Sequence, residues 1–382
     1  MSQGALASPP GAADREPPPL LRLFLVFVLL YLFLVGVGLL ESGISAMGEG
    51  FETAFLGSVS NPISGVFAGI LATVLVQSSS VSTATIVGLV GSGTLPLALA
   101  VPMIMGANIG TTVTNTLASL GSIRRSEEFK RGFAAATVHD FFNLIAVGVL
   151  LPLELLTGFL TRSAVWLTTI LRGAEIDATA PGRSPIRQAV RLPIGMLEDA
   201  VGGGPLAGIL FLALGLGLIF LALGFITKNM RQLVAGGVER VMNRLIGRGG
   251  GAVGILVGIV VTVAVQSSTI TTSILVPLVA AGVLTLPNAY PITIGANVGT
   301  TITALIASLA VLRPEGLAIA LVHTLFNLTA LAVIFPIRRI RLIPVRLAEG
   351  IATIATRNHI VVFIYVVGLF LVLPLAGIFL IR

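Results

Sequence analysis

Two stretches of polar sequence, QSSS at residues 77–80 and GANIGTT at residues 106–112, interrupt otherwise apolar segments of the chain. The pattern recurs as QSST at residues 266–269 and GANVGTT at residues 295–301, in the same order. The offset is constant, since 266 minus 77 and 295 minus 106 are both 189. Recurrence in register indicates an internal duplication. The chain is therefore predicted to consist of two homologous halves.

The composition indicates that the solvent of this chain is lipid. Of its 382 residues, 55% are apolar and 10% are charged, and the mean hydropathy of +1.03 is too high for a soluble domain. The chain has no cysteine, which excludes disulfides and thiolate metal sites. The net charge of +7 comes from cations between apolar runs, so it predicts orientation in a membrane and not nucleic-acid binding.

Apolar runs long enough to cross a bilayer occur at about 20–40, 131–157, 205–226, 315–337 and 358–381. The apolar arms on either side of residues 77–80 are each too short to cross. We therefore expect a re-entrant helical hairpin with its polar tip near mid-membrane. Residues 106–112 and 295–301 interrupt longer apolar stretches, and their glycines predict spans that unwind at their centres.

The predicted fold is an all-α integral membrane protein. It has two inverted-topology repeats, each with a re-entrant hairpin and a broken transmembrane helix, plus peripheral spans. Three membrane crossings separate the two hairpins, so the second copy is inverted relative to the first. The basic loops lie on one face of the membrane, which the positive-inside rule assigns to the cytoplasm together with the N-terminus. The expected segments are a disordered tail (1–19), the first span (20–49), repeat 1 (50–160), an external connection with an amphipathic helix (161–204), a span with a cytoplasmic connection (205–239), repeat 2 (240–337), a basic interfacial segment (338–357) and the last span (358–382).

The polar stretches of each copy, residues 77–80 with 106–112 and 266–269 with 295–301, are here called the polar cassettes, and they suggest a binding site for ions. Exposed helix N-termini offer unpaired N–H groups that suit an oxyanion such as phosphate, and nearby hydroxyls donate to the same anion. Amide oxygens and unwound carbonyls are hard, neutral ligands that suit sodium. Single Ser/Thr clusters in membranes often only bond their own backbone, but two matched copies are costly unless they line a cavity. The candidate anion-binding residues are Ser78, Ser79, Ser80, Ser267, Ser268 and Thr269, and the candidate sodium ligands are Gln77, Gln266, Asn108 and Asn297.

Other polar residues near the cassettes have simpler interpretations. His139 and His323, each with an asparagine four residues later, are interpreted as interhelical hydrogen-bonding residues. Asp140 has Thr324 as its counterpart and is interpreted as a hydrogen-bonded carboxylate at a helix start, with a proton or cation role left open. Small residues four apart are predicted to allow close helix packing, at Gly65, Gly69, Gly254 and Gly258.

The QSSS tip and the segments GANIGTTVTNT and GANVGTTIT resemble the type II sodium/phosphate cotransporter family, here as a bacterial member. The resemblance covers roughly residues 50–160 and 240–340. It implies symport of inorganic phosphate with sodium ions, bound at the hairpin tips and the unwound segments. It adds Thr111, Thr112, Thr300 and Thr301 to the expected sodium ligands. The second tip departs from the pattern, since Thr269 stands where the first tip has a serine.

Three alternatives remain open from the sequence. The same architecture could carry another small anion, such as a dicarboxylate or sulfate. An ion channel or a non-transporting membrane scaffold is less expected. Against a channel, two inverted repeats do not form a rotationally symmetric filter. An enzyme is not expected, because neither cassette places a nucleophile beside a base. The expected partners are phosphate, sodium and the lipid bilayer, in a multi-pass protein of the cell membrane, with a dimer as one candidate oligomeric state.

Overall fold

The computed structural model describes residues 18–48, 61–173, 185–245, 251–311 and 313–380, and these residues contain helices and no strands. The predicted tail lies almost wholly outside the described residues. The helices are α1 (Pro19–Met47), α2 (Pro62–Val76), α3 (Ser79–Ser92), α4 (Leu97–Gly110), α5 (Val113–Ser119), α6 (Ser126–Thr157), α7 (Phe159–Gly173), α8 (Pro185–Val201), α9 (Pro205–Leu245), α10 (Gly251–Val265), α11 (Ser268–Ala280), α12 (Leu286–Ser308), α13 (Pro314–Ile334), α14 (Arg338–Arg357), α15 (Ile360–Val367) and α16 (Leu373–Leu380).

Two short elements complete this order. A 3-10 turn (Leu120–Ser122) follows α5, and a π-helical turn (Gly368–Val372) joins α15 to α16. Seven helical segments of the described chain are long and apolar enough to cross a membrane: Pro19–Met47, Leu97–Ser122, Ser126–Thr157, Pro205–Met230, Leu286–Ser308, Pro314–Ile334 and Ile360–Leu380. The prediction of an all-α, multi-pass membrane protein is confirmed.

The two copies of the duplicated unit have the same order: a pair of short helices, a long helical segment that is divided only in the first copy, and a further long helix. Each begins with a pair of short helices, α2 with α3 and α10 with α11, of 13 to 15 residues. At a rise of about 1.5 Å per residue, each helix is roughly 20 Å long, less than the hydrocarbon thickness of about 30 Å. No helix of either pair is therefore long enough to cross the bilayer alone.

Glycines bring the first short helix of each pair against the long helix that follows it. A Cβ atom added at Gly69 would lie 2.0 Å from the carbonyl oxygen of Met103, and one at Gly258 would lie 2.1 Å from that of Ile292. Added Cβ atoms at the other two glycines of the predicted set would also be crowded, at 3.2 Å for Gly65 and 3.0 Å for Gly254. The interpretation of these glycines as packing residues agrees with the structure.

The expected breaks in the long helices differ from the structure. In the first copy the interruption is a two-residue turn, Thr111 and Thr112, between α4 and α5. In the second copy α12 is continuous from Leu286 to Ser308, so the break predicted at 295–301 is wrong. The glycines of this segment allow close packing against α10 and do not unwind the helix. A Cβ atom added at Gly295 would lie 2.1 Å from the carbonyl oxygen of Ile255.

Amphipathic helices follow the last long helix of each copy. Helix α7 follows α6 and packs against α13 of the other copy, whereas α14 follows α13 and packs against α6. A helix occupies the stretch around residues 186–197, where an amphipathic helix is predicted, as α8. Helix α7 was not predicted, and α9 continues to Leu245, well beyond the predicted end at residue 226.

Candidate functional site

The joint between the two short helices has the same backbone conformation in both copies. Gln77 and Gln266 have φ angles of 56° and 55°, and they are the non-glycine residues with positive φ in the described chain. This left-handed conformation costs an L-residue roughly 1–2 kcal/mol, and such outliers cluster at functional sites. Its presence at both joints indicates that the tip geometry is specified and not accidental.

The side chains of these glutamines fix each tip to a later helix of the same copy, α5 in the first copy and α12 in the second. The amide oxygen of Gln77 accepts a hydrogen bond of 2.8 Å from Thr114, and that of Gln266 accepts one of 3.0 Å from Thr303. Each amide nitrogen donates to a carbonyl at the end of its own helix, at 2.6 and 2.7 Å. Neither threonine was predicted from the sequence, although the two occupy matching positions at the common offset of 189 residues.

The hydroxyls after each glutamine divide into two groups. Ser78 and Ser267 are N-caps, whose oxygens accept from backbone N–H groups at 3.3 Å in both copies. In the described part of the chain, no hydrogen bond involves the hydroxyls of the next two residues in each copy: Ser79, Ser80, Ser268 and Thr269. Ser79, Ser80 and Ser268 are buried, with exposed fractions of 8%, 6% and 3%. These hydroxyls remain available to a ligand at the start of α3 and α11.

The threonine pairs that end the segments 106–112 and 295–301 form hydrogen bonds with the backbone just before them. The hydroxyls donate to backbone carbonyls three or four residues earlier, at distances from 2.8 to 3.0 Å, in Thr111, Thr112, Thr300 and Thr301. All four are buried. This is the ordinary behaviour of hydroxyls in apolar helices, and it leaves only lone pairs of these oxygens free for a cation.

A buried amide cluster joins the two copies. The side-chain amide of Asn297 donates to Asn143 at 2.7 Å, and its oxygen lies 2.7 Å from Nε2 of His139. Asn143 donates to the backbone oxygen of Asn108 at 2.7 Å, and Asn327 donates to the Asn108 side chain at 3.3 Å. All five residues are at most 4% exposed. The predicted ligands Asn108 and Asn297 therefore lie in one network, and His139 is an interhelical hydrogen-bonding residue.

A second polar bridge lies close to the second tip. Asn115 of α5 donates to Thr272 at 2.6 Å and accepts from Ser273 at 2.9 Å, and both partners lie on α11. The position that matches Asn115 at the common offset is Ala304, which has no polar side chain. The second copy therefore cannot form the equivalent bridge to the first tip. It holds the first turns of α11 against the first copy.

Asp140 lies in the middle of α6, and its interpretation as a helix-start carboxylate is wrong. Helix α6 begins at Ser126, and Asp140 is fully buried. Its Oδ2 accepts from Tyr365 at 2.7 Å and lies 3.5 Å from the Thr116 hydroxyl. Within the described residues, Oδ1 has no hydrogen-bond partner. A buried carboxylate oxygen without a partner is costly, which makes it a candidate position for a cation.

The sequence model of a family described as Na⁺/Pi-cotransporter matches residues 32–165 and 218–348. The chain belongs to the Na⁺/Pi-cotransporter family. Each matched segment contains one complete copy of the polar cassette, so both halves of this cotransporter-family chain carry the family pattern. No solved structure matches the chain.

Curated relatives extend the family match to nearly the whole chain. Sodium-dependent phosphate transport protein 2A of Ovis aries is 34% identical, over 94% of this chain and 70% of that protein. Sodium-dependent phosphate transport protein 2B of Homo sapiens is 31% identical, over 93% of this chain and 64% of that protein. The 2A protein of Rattus norvegicus is 33% identical, over 93% and 67%. This member of the family thus spans about two thirds of the length of these relatives.

Proposed function

We propose that the chain is a secondary active transporter that carries inorganic phosphate across the cell membrane together with sodium. The observation that carries the proposal is the duplicated tip: a left-handed glutamine followed by a capping serine and by two residues whose hydroxyls have no partner among the described residues. The relatives named as sodium-dependent phosphate transport proteins support the same substrate and coupling ion.

Phosphate binds between the two tips in this proposal. The N-termini of α3 and α11 present backbone N–H groups and the positive end of a helix dipole, which favour an oxyanion. The unbonded hydroxyls of Ser79, Ser80, Ser268 and Thr269 complete the donors, and Ser78 and Ser267 shape the helix starts. Neither cassette contains Lys or Arg, so the anion is held by neutral dipoles.

Sodium binds beside the anion through oxygen ligands. The amide oxygens of Gln77 and Gln266 each use one lone pair for a threonine and keep a second for a cation. Asn108 and Asn297, with Thr111, Thr112, Thr300 and Thr301, offer further neutral oxygens near the helix centres. Asp140 adds a buried carboxylate whose Oδ1 has no partner among the described residues, and in its ionised form it is the strongest electrostatic attraction for a cation in this proposed site.

The two copies lie inverted in the membrane in this proposal, with each helix pair forming a re-entrant hairpin. A hairpin that enters and leaves on one side adds no crossing, so three long helical passages separate the two pairs. Cations between the spans, such as Arg124, Arg338 and Arg339, then face the cytoplasm, as does the N-terminus. Movement of the duplicated core against the remaining spans exposes the site to each side in turn.

Coupled binding of the two ions tests this proposal directly. A ligand that binds only the folded state raises the unfolding temperature, and a coupled substrate does so only with its partner ion. We expect phosphate to raise the Tm of the purified protein in sodium chloride and to have no effect in potassium chloride. Equal stabilisation in the two salts would refute sodium coupling.

The second candidate function is transport of another small anion by the same site. Helix N-termini and hydroxyls recognise oxyanions in general, so this arrangement fits sulfate or a dicarboxylate as a class. The same thermal measurement with sulfate and succinate in sodium chloride separates the candidates. Stabilisation by succinate or sulfate but not by phosphate would favour this second function.

A further inference from the structure

Helix α14 has one face that is committed to the protein interior. This face packs along α6 and consists of the buried residues Pro344, Val345, Ala348, Ala352 and Ala355. The helix follows α13 of the second copy in sequence but contacts α6 of the first copy. Its position therefore depends on both halves of the protein.

The side of α14 opposite the interior carries a stripe of arginines, Arg339, Arg346 and Arg357, which we call the basic stripe. The second and third follow the first and second by 7 and 11 residues. These intervals are close to two and three turns of a helix with about 3.6 residues per turn, so the three side chains project from one side. All three are exposed.

An apolar flank lies on α14 between the basic stripe and the interior face. Its residues Ile343, Leu347 and Ile354 are 41%, 43% and 54% exposed. Arginines that border exposed aliphatic residues along one helix are the pattern of a helix lying in the membrane interface. The aliphatic side chains then contact acyl chains, and the guanidinium groups lie at the level of the lipid headgroups.

No carboxylate of the described residues forms an ion pair with an arginine of α14. The helix contains five arginines and a single carboxylate, Glu349, by its sequence. Among the described residues, the ion pairs are Arg125 with Glu128 and Arg313 with Glu315, neither of which involves α14. Glu349 instead lines a cavity of about 630 Å³ with Lys130 and Arg131. The basic stripe therefore has no anionic partner in the part of the protein that the structure describes.

We propose that the basic stripe binds the headgroup phosphates of anionic phospholipids and thereby anchors α14 to one leaflet. Guanidinium groups pair with phosphate oxygens through two parallel hydrogen bonds, so arginine suits this partner. The apolar flank selects a lipid over free phosphate, because only a lipid brings acyl chains to Ile343, Leu347 and Ile354. This inference goes beyond transport, and it uses the proposed topology only to assign the leaflet to the cytoplasmic side.

Lipid retention measured by native mass spectrometry tests the inference. The protein is released from micelles that contain equal amounts of phosphatidylglycerol and phosphatidylcholine, and the ratio of the two bound lipids is compared between variants. A juxtamembrane arginine contributes about 1 kcal/mol to anionic lipid attraction, or about fivefold in affinity. We expect the R339Q/R346Q/R357Q variant to lose the preference for phosphatidylglycerol by at least fivefold.

Two matched variants make the result decisive. R124Q/R125Q/K228Q removes three exposed cations outside α14 and should keep the lipid preference. The R339K/R346K/R357K variant keeps the charge but loses the paired hydrogen bonds, so it should retain more of the preference than R339Q/R346Q/R357Q and less than the wild type. An unchanged lipid ratio in R339Q/R346Q/R357Q, or an equal loss in R124Q/R125Q/K228Q, would overturn the inference. Displacement of bound lipid by millimolar inorganic phosphate would also contradict it. The readout is lipid binding, so its failure leaves the proposed phosphate transport untouched.

Discussion

The side-chain amide of Asn297 donates a 2.7 Å hydrogen bond to the side chain of Asn143, which lies in the other copy of the duplicated unit. This contact, with the 2.7 Å approach of His139 to Asn297, links α12 to α6 in the interior of the protein. Asn297 is the asparagine of the second polar cassette, and Asn143 is the asparagine of the long helix that follows the first cassette.

Replacement of Asn297 by alanine should destabilise the protein. The change removes the hydrogen-bond partner of the Asn143 amide oxygen and of His139 Nε2, and each buried unsatisfied group costs about 1–3 kcal/mol. Thermal unfolding in detergent measures the effect, with N327A as a control, because Asn327 makes a longer bond of 3.3 Å to Asn108. We expect a clearly larger drop in Tm for N297A than for N327A.

A double-mutant cycle separates this contact from general damage to the core. N143A and N297A remove the same hydrogen bond, so the double variant should lose less stability than the two single variants together. Strict additivity of the two losses would show that the contact contributes nothing across the copies.

Replacement of Gln266 by glycine should weaken sodium activation with little loss of stability. Glycine adopts φ near 55° without strain, which offsets the loss of the hydrogen bond from Thr303. The free energy of unfolding should remain within about 1 kcal/mol of the wild type. The sodium concentration for half-maximal phosphate uptake should rise about tenfold, the equivalent of one lost oxygen ligand.

Glutamine to glycine is a sharper test than glutamine to alanine at this position. Alanine at this position would keep the strained left-handed backbone, so a loss of stability would accompany the loss of the ligand and the two effects on uptake could not be separated. A Q266G protein with normal stability and unaltered sodium activation would remove Gln266 from the sodium site. The matched Q77G variant shows whether both tips contribute.

Removal of the unbonded tip hydroxyls should weaken phosphate binding. Hydrogen bonds to a charged partner contribute about 1.5–3 kcal/mol, so S79A and S268A should each raise the KM for phosphate roughly tenfold or more. The control is S92A at the far end of α3, where the hydroxyl already donates to the Leu89 carbonyl at 2.8 Å. Equal effects of S79A and S92A on KM would contradict a role of the tip in binding.

Two carboxylates of α6 should behave differently when changed to amides. D140N replaces the buried carboxylate, whose Oδ1 has no partner among the described residues, and should raise the sodium concentration needed for half-maximal uptake. E154Q should leave sodium activation unchanged, because Glu154 accepts from the backbone N–H groups of Leu160 and Thr161 at the start of α7. Instead it should lower the Tm.

Sodium titrations of uptake for D140N and E154Q distinguish a cation ligand from a structural carboxylate. The same shift in both variants, or none in D140N, would exclude Asp140 as the charge that attracts sodium.

Much of the fold could be predicted from the sequence because the duplication is in register. The short arms on either side of Gln77 and Gln266 predicted the paired short helices, and hydrophobic length predicted five of the seven spans. The continuity of α12 could not be predicted, since a glycine such as Gly295 permits either unwinding or close contact. Only the approach of the Ile255 backbone decides between these two uses.

The surroundings of Asp140 also could not be predicted. Tyr365 lies 225 positions away in the last span, outside both copies, so no repeat pattern points to their contact. The predicted start of the span at residue 131 placed Asp140 near a helix end, but α6 begins at Ser126. Periodicity also gave no signal for the start of α6, because its first turn is polar.

Uptake of radiolabelled phosphate into proteoliposomes under an inward sodium gradient tests the central claim most directly. The wild type should accumulate phosphate above equilibrium in sodium, and uptake should fall to the protein-free background when potassium replaces sodium. The S79A/S268A variant, reconstituted at equal density, should show strongly reduced initial uptake at phosphate concentrations below the KM. Equal uptake by the wild type in sodium and potassium, or full activity of the S79A/S268A variant, would contradict sodium-coupled phosphate transport through the duplicated tips.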